Sequence, residues 1–205
     1  GVHDITIRGF EIKGNRHTFS SDRHYYAMFL RNAYDLAVHD MYIHDSSGDG
    51  IKLEHRTSEW TGTTPDTSAG EWVTIDDEAL ADFNRLQAER GRSVDSRFYN
   101  NWIQNVGHDG IYILRVDDFE VYDNYIYSCR TNSMVRLSGG CDDYSIHDNV
   151  LRGDPERGHS GNAGVQVQNS GAPVNNVEIY GNKISHKGLG GIVIYGRGPF
   201  GTQTG

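Results

Sequence analysis

The stretch RFYNNWIQNVGHDGIYILRVDDFEVYDNYIYS occupies residues 97–128 and decides how the chain folds. It begins with an apolar anchor at Phe98, passes through a GIYI segment at 110–113, and returns to an equivalent anchor at Val121. Apolar and polar residues alternate in both halves of this unit, which is typical of β-strands rather than helices. The two anchors lie 23 residues apart.

The same unit recurs along the whole chain. Six anchors share this position in the pattern: Ile7, Val38, Phe98, Val121, Ile146 and Ile179. Each anchor is followed by a second half, which reads AMFL (27–30), GIKL (50–53), GIYI (110–113), MVRL (134–137), GVQV (164–167) or GIVI (191–194). Two short strands repeated at this period describe one coil of a parallel β-helix, in which stacked coils bury a common apolar column. We therefore predict an all-β solenoid of about six coils.

Three insertions interrupt the period, at about 16–26, 59–92 and 154–163. In solenoids such insertions form loops and often mark the binding face. The segment IDDEALADFNRLQAER at 75–90 has apolar residues at helical spacing, so we expect a helical insertion that covers the coils or forms a lid. We expect one domain over 1–205 that forms part of a longer chain.

Composition narrows the class of partner. The formal net charge is −9, which disfavours nucleic acid because phosphate binding requires a basic face. No long apolar run suits a membrane span, so we expect no membrane insertion.

Cys129 and Cys141 lie about half a coil apart, and we predict two free structural thiols. Four asparagines share one register position, and we predict a structural ladder of Asn101, Asn124, Asn149 and Asn182.

The corner before the second half of each unit holds the first candidate site. Alignment of coils two and three superposes Asp49 on Asp109 and Lys52 on Tyr112, at a coil spacing of about 5 Å. Two carboxylates that close suit general acid–base catalysis, or they could bind a cation such as Ca²⁺. Asp-Gly is also ordinary turn chemistry in a tight corner, so a purely structural role stays open.

Polar residues occupy the outward positions beside that corner. If this stripe is functional, Lys52 or Arg136 would neutralise a uronate carboxylate or act as a base, alongside Asp49 and Asp109. The residues that we expect to bind substrate are Glu54, His108, Tyr112, Arg115, Arg31 and Gln166. A solvated face of mixed polarity is the alternative.

A second stripe carries aromatic residues. Tyr99, Trp102, Tyr122 and Tyr125 occupy outward positions in neighbouring coils, and we favour a homo-oligomer interface there. Stacking on sugar rings and simple cross-strand stacking are the alternatives. A metal held by the histidines of the first and third insertions, His17, His24 and His159, is a further option with no supporting motif.

The repeated xIxxNxI and GIxI halves resemble the right-handed parallel β-helix superfamily of pectate lyase-like proteins. The opening HDITIRGFEIKGN and the stretch YAMFLRNAYDLAVHDMYIHDSSGDGIKLE look like the disaggregatase-related domain of methanogenic archaea. That resemblance implies right-handed coils and an extracellular or cell-surface protein that degrades a matrix glycan of uronic acid and amino sugar. The calcium-binding aspartates of pectate lyases and the paired aspartates of polygalacturonases are not evident as motifs, so no catalytic residue is carried over.

Two functions follow as expectations. The first is an enzyme, a glycoside hydrolase or polysaccharide lyase, that degrades an acidic polysaccharide. The second is a non-catalytic module that binds glycan or assembles subunits within a larger cell-surface protein. The fold class hosts both functions, so the choice depends on the site.

Overall fold

The computed structural model of the protein describes residues 3–14, 25–31, 33–55, 96–139, 141–154, 163–168, 174–185 and 190–196. These residues form eighteen strands in three parallel sheets of six strands each. Each coil contributes one strand to each sheet, so the structure is a right-handed parallel β-helix of six coils, as predicted. The helix expected at 75–90 lies outside the described residues, together with the whole 59–92 insertion and with 16–24 and 155–162 of the other two.

The bounds of the strands follow the repeat. The first sheet contains β1 (Ile5–Arg8), β4 (Leu36–His39), β7 (Ser96–Tyr99), β10 (Phe119–Tyr122), β13 (Cys141–His147) and β16 (Val174–Tyr180). The second contains β2 (Glu11–Lys13), β5 (Tyr42–His44), β8 (Trp102–Val106), β11 (Tyr125–Cys129), β14 (Val150–Arg152) and β17 (Lys183–Ser185). The third contains β3 (Tyr26–Arg31), β6 (Asp49–Glu54), β9 (Ile111–Leu114), β12 (Val135–Ser138), β15 (Ala163–Gln168) and β18 (Gly190–Tyr195).

The register of the coils is the one that the sequence repeat predicts. Val38 pairs with Phe98, and Phe98 pairs with Val121, on the first sheet. On the third sheet Ile51 pairs with Ile111, and Ile111 pairs with Val135. These anchors are fully buried, so the apolar column runs through the middle of the solenoid. Burial of this continuous column is the main stabilising term that stacking adds to each coil.

Each coil has three strands rather than the two that we predicted, because the anchor half bends in its middle. The bend falls on a residue in the left-handed region, with φ of 52° to 53° at Asp40, Asn100, Asp123 and Asp148. Aspartate and asparagine tolerate this conformation better than other residues with a side chain. Gly9 and Gly181 take the same place in the first and last coils. The sequence therefore turns at every coil without requiring glycine each time.

The predicted asparagine ladder is confirmed beside these bends. The Nδ2 atom of Asn101 donates to Oδ1 of Asn124 at 2.9 Å, and Asn124 donates in the same way to Asn149 at 3.0 Å. Asn149 then donates to Asn182 at 2.9 Å. The Oδ1 atoms also accept backbone N–H groups of the preceding coil, as between Asn124 and Asn101. The ladder satisfies buried polar groups that the bend would otherwise leave unpaired.

The backbones of neighbouring coils approach closely at the glycines that open the second halves. A Cβ atom built on Gly110 would lie 2.5 Å from the carbonyl oxygen of Met134, and one built on Gly50 would lie 2.6 Å from that of Gly110. Glycine is therefore required at these positions by contact between coils.

Cys129 and Cys141 are free and buried, as predicted. Among the described residues no helix has the length and apolar character needed to cross a membrane.

Candidate functional site

The outer face of the third sheet carries the predicted polar stripe in the predicted register. Tyr112 pairs with Lys52 on one side and with Arg136 on the other, and Arg136 pairs with Gln166. The stripe is not an open solvated face, because Lys52 is only 8% exposed, Gln166 4% and Glu54 1%. Polar groups at this depth need partners, and the structure supplies most of them from within the stripe.

Tyr112 lies between two cations. The Nζ atom of Lys52 lies 5.1 Å from the centre of the Tyr112 ring, and the guanidinium carbon of Arg136 lies 4.6 Å from it. Tyr26 and Phe29 flank Lys52 from the first coil, with ring centres at 4.9 Å and 5.6 Å from Nζ. Cation–π contact of this kind holds both positive charges in a partly buried site.

Lys52 also forms an ion pair with a buried carboxylate. Its Nζ atom lies 3.0 Å from Oε2 of Glu54 and donates to the hydroxyl of Tyr26 at 3.2 Å. Burial by itself lowers the pKa of Lys52, but the hydrogen bond and charge of Glu54 outweigh burial and leave the pKa raised. Lys52 is therefore cationic at neutral pH. Arg31 lies at the rim, 3.9 Å from Glu54.

Asp49 and Asp109 meet around one imidazole ring. The Nδ1 atom of His108 lies 2.8 Å from Oδ1 of Asp49 and 3.0 Å from Oδ2 of Asp109. One ligand atom from each of the three residues falls within 4.8 Å of the others, which confirms the spacing of about 5 Å expected for the two carboxylates. His108 thus lies at the centre of the cluster and contacts both carboxylates.

The electrostatics of the cluster depend on His108. Burial lowers the pKa of this imidazole, but hydrogen bonds and charge from Asp109 and Asp49 outweigh it and raise the pKa to about 9. The ring is therefore protonated at neutral pH and carries a positive charge between two negative ones. This charge offsets the mutual repulsion of the carboxylates, which was the reason to expect acid–base chemistry from the pair alone.

Both carboxylates also hold the backbone of the next coil. Oδ1 of Asp49 accepts the backbone N–H of Asp109 at 3.0 Å, and Oδ1 of Asp109 accepts that of Ser133 at 2.8 Å. The amide of Asn132 donates to Oδ2 of Asp109 at 3.1 Å. The aspartates are almost completely buried, so they support the corner as well as the imidazole. His108 keeps part of its surface exposed and is the group of the cluster that a ligand can reach.

Arg136 has more donors than close partners. Its Nη1 atom lies 3.5 Å from Oδ2 of Asp109, and its Nη2 atom lies 3.3 Å from Oε1 of Gln168. Its Nε atom is buried and has no hydrogen-bond partner among the described residues. Both existing hydrogen bonds are long. A guanidinium in this state favours an added anion, because carboxylates bind its planar donors in pairs.

The structure brings most of the predicted site residues together on or beside the third sheet. Arg115 lies just after β9 with φ of 58° and forms no side-chain hydrogen bond or ion pair within the described part of the chain. Sequence reasoning missed Asn132, which aligns with His108 one coil earlier, and Ser133, which aligns with Asp109. The alignment of the coils already places both residues next to the cluster. They were overlooked because the residue type changes from Asp109 to Ser133.

The ligand atoms that Asp49, His108 and Asp109 offer decide whether a cation would fit between them. Ca²⁺ prefers roughly six to eight oxygen ligands, whereas this group offers two carboxylates and one nitrogen. The nearby guanidinium of Arg136 adds further positive charge. The arrangement favours a proton on His108 over Ca²⁺. A second group, His3, Asp4 and Asp35, is exposed, and the histidines at 17, 24 and 159 lie outside the described residues.

The aromatic stripe divides between two sheets. On the first sheet five rings stack face to face, with centres 4.6–5.1 Å apart and planes within 9°: His39, Tyr99, Tyr122, His147 and Tyr180. This is the cross-strand stacking that we weighed as an alternative, and it leaves the inner ring faces unavailable to a sugar. Trp102 and Tyr125 belong to the second sheet and are arranged edge to face. An interface between copies of the chain stays a prediction.

Comparison with known proteins agrees with this architecture. A family model described as a right-handed β-helix region matches residues 26–202. A search of the curated proteins returns no match. Among solved structures the chain is similar to the A-module of the mannuronan C-5 epimerase AlgE4 from Azotobacter vinelandii, at 10% identity and a TM-score of 0.29. The alignment covers 99% of this chain, which spans 57% of the length of that module.

Proposed function

Since the chain belongs to the right-handed β-helix family, we propose that it acts on an acidic polysaccharide along the outer face of its third sheet. The observation that carries this proposal is Arg136, a largely buried guanidinium with unfilled donors beside the His108 cluster. A uronate carboxylate is the anion that this position suits. The proposed substrate is an extracellular or cell-surface matrix glycan of uronic acid and amino sugar, of the kind that a disaggregatase degrades.

Charge and shape support binding of a uronate. Arg136 and Lys52 present two cations on either side of the Tyr112 ring, and both are held in place by their contacts with it. Arg136 would pair with the sugar carboxylate, because its remaining donors lack close acceptors. The raised pKa of Lys52 keeps it charged, so it suits neutralisation of a uronate better than removal of a proton.

His108 is the group best placed to move a proton. Its imidazolium is held by Asp49 and Asp109 and keeps an exposed edge, so it can donate a proton to the departing glycosidic oxygen. In hydrolysis a water molecule would add its hydroxyl to the anomeric carbon and return a proton to His108, with Asp49 and Asp109 acting through that ring because both are buried. In β-elimination the neutral form of His108 would take the C5 proton of the uronate, the C4–O bond would break, and the same ring would pass that proton to the departing oxygen, giving an unsaturated product. Both reactions stay within the proposal.

A specific observation also favours a non-catalytic binding module as the second candidate. Asp49 and Asp109 each accept a backbone N–H group from the next coil, and they are almost completely buried. Carboxylates that accept backbone hydrogen bonds in this way stabilise the corner whether or not a reaction occurs. A module would use Arg136 and Lys52 for binding alone.

The two candidates differ in their products. The purified chain would be incubated with polygalacturonate, alginate and a chondroitin-type polymer, with and without EDTA. Reducing ends and the ultraviolet absorbance of unsaturated uronate would be followed together. A rise in both indicates a lyase, and reducing ends alone indicate a hydrolase. Binding without either signal supports the module, and absence of both binding and turnover in folded protein contradicts the proposal.

Variants connect the result to the site. Arg136→Gln removes the unfilled guanidinium, and we expect loss of turnover, and of binding at the third sheet, on any polymer that the wild type uses. Arg97→Gln is the matched control, because Arg97 is a half-exposed arginine on the first sheet that pairs with Glu120. Equal loss in both variants would show that general surface charge, and not the third sheet, is responsible.

A further inference from the structure

We propose that the outer face of the second sheet is a separate carbohydrate-binding surface, centred on Trp102, for the pyranose rings of a uronate-bearing polysaccharide. Its contacts come from strands other than those of the third sheet. It therefore extends beyond the chemistry proposed for the His108 cluster, and it would hold even if that cluster performed no reaction.

Trp102 offers an open, flat apolar surface. It lies on β8, near the middle of the second sheet, and is 52% exposed. Its neighbours in the same row are Tyr42 and Tyr125, whose planes are inclined to the indole by 73° and 60°. No described ring stacks face to face on the indole, unlike the rings of the first sheet. An exposed aromatic face with polar groups at its edge suits the apolar face of a sugar ring.

Polar groups beside the indole are already ordered. The indole Nε1 atom donates to Oε1 of Gln104 at 3.0 Å, and Nε2 of Gln104 donates to the hydroxyl of Tyr42 at 2.7 Å. The ring of His44 stacks on Tyr42 with centres 4.4 Å apart. Side chains held in this way lose less conformational entropy when a ligand binds. The amide and hydroxyl oxygens keep lone pairs that can accept hydrogen bonds from sugar hydroxyls.

The charge of this sheet suits an acidic polymer. Its six strands contain three cationic side chains, Lys13, Arg152 and Lys183, all exposed, and one carboxylate, Glu11. The strands thus carry a formal charge of +2 (three minus one), and Asp45, directly after β5, adds one carboxylate beside His44. The whole chain has a formal net charge of −9. Complementary charge favours encounter with a polyanion on this face. An uncharged glycan would gain nothing from these groups.

Affinity electrophoresis tests the proposal with the whole chain. Gels would contain polygalacturonate, or dextran as a neutral polymer, and the retardation of the wild type would be compared with that of Trp102→Ala. We expect retardation by polygalacturonate, with binding about tenfold weaker in Trp102→Ala. Trp102→Phe keeps an aromatic face and should bind at an intermediate level, which guards against a misfolded alanine variant. Tyr180→Ala is the matched control, since Tyr180 is 50% exposed on the neighbouring sheet.

The outcomes separate this surface from the one proposed for the third sheet. In an Arg136→Gln background the Trp102-dependent binding should persist even where turnover is lost. The proposal is overturned if the wild type is not retarded, if Trp102→Ala binds normally, or if Tyr180→Ala loses as much affinity as Trp102→Ala. Analytical ultracentrifugation adds one more decisive outcome. A dimer that Trp102→Ala converts to monomer, with no polysaccharide binding, would identify the surface as an interface between copies.

Discussion

The Nδ1 atom of His108 lies 2.8 Å from a carboxylate oxygen of Asp49, a residue 59 positions earlier in the chain. The two residues belong to consecutive coils, so this contact depends on the stacking of the solenoid and not on local sequence. It places a protonated imidazole where the sequence suggested only a pair of carboxylates. The charge state of this corner of the third sheet depends on this contact.

We expect the stability of the protein to decrease between neutral and alkaline pH through His108. The folded pKa of about 9 lies above the ordinary value of 6.5, so folding is favoured by a proton on this ring. This contribution is complete below pH 6.5 and disappears as the pH rises through about 9. Urea unfolding of wild type and His108→Gln at a series of pH values measures it. A variant that keeps the same pH dependence between those values would contradict the assignment.

Asp49→Asn separates the charge of Asp49 from its role in the backbone. The asparagine oxygen can still accept the N–H group of Asp109, so the fold should persist, but the negative charge beside His108 is lost. We expect the pKa of His108 to decrease, as measured by NMR titration of the imidazole. His44, which is held by Asp45 and Glu11 instead, serves as the internal control. An unchanged titration of His108 would show that Asp49 does not set its charge.

Gly110→Ala should destabilise the fold by at least about 2 kcal/mol, since an added Cβ overlaps a backbone atom that cannot move freely. The overlap is with the carbonyl oxygen of Met134, 2.5 Å away. Gly196→Ala is the control, because nothing lies within 4 Å of a Cβ at that position. Thermal unfolding of both variants measures the difference. Equal stability of the two would mean that the coils are not in the close contact described.

Asn124→Ala should cost about 3 kcal/mol, because it leaves buried donors and acceptors of three coils without partners. Asn124 accepts from Asn101 and donates to Asn149 and to the carbonyl oxygen of Phe98. Asn182→Ala, at the less buried end of the ladder, should cost clearly less. Chemical denaturation gives both values. A larger loss at the end of the ladder than in its middle would refute this account.

Much of the fold was predictable because each sequence repeat corresponds to one coil of the solenoid. Once Val38 is aligned with Phe98, the pairs Lys52–Tyr112 and Asp49–Asp109 follow by counting, because all three pairs are 60 residues apart. The bends could not be predicted in the same way, since Asp40 and Asn100 take a left-handed conformation without the glycine that usually marks it. The central position of His108 depends on where its side chain points, which the period of the chain does not determine.

Burial of the polar stripe was the second feature that the alignment of the sequence repeats could not predict. An outward position in a strand predicts solvent for Glu54, yet the structure buries it beside Lys52. The ion pair joins two residues of the same strand, β6, whereas the rings that pack around Lys52 come from the two neighbouring coils. The alignment therefore predicted which residues lie side by side on the third sheet better than it predicted their charge states.

The spacing of the coils along the chain has a consequence for the order in which the molecule folds. Contacts between the third, fourth and fifth coils join residues 23–25 positions apart, whereas Asp49 and Asp109 are separated by 60. Closing the longer loop costs only about 0.8 kcal/mol more in chain entropy, so the finished molecule tolerates it. The search for that contact is nevertheless slower, because non-local pairings form late. We therefore expect folding to start in the closely spaced coils and the first two coils to join afterwards.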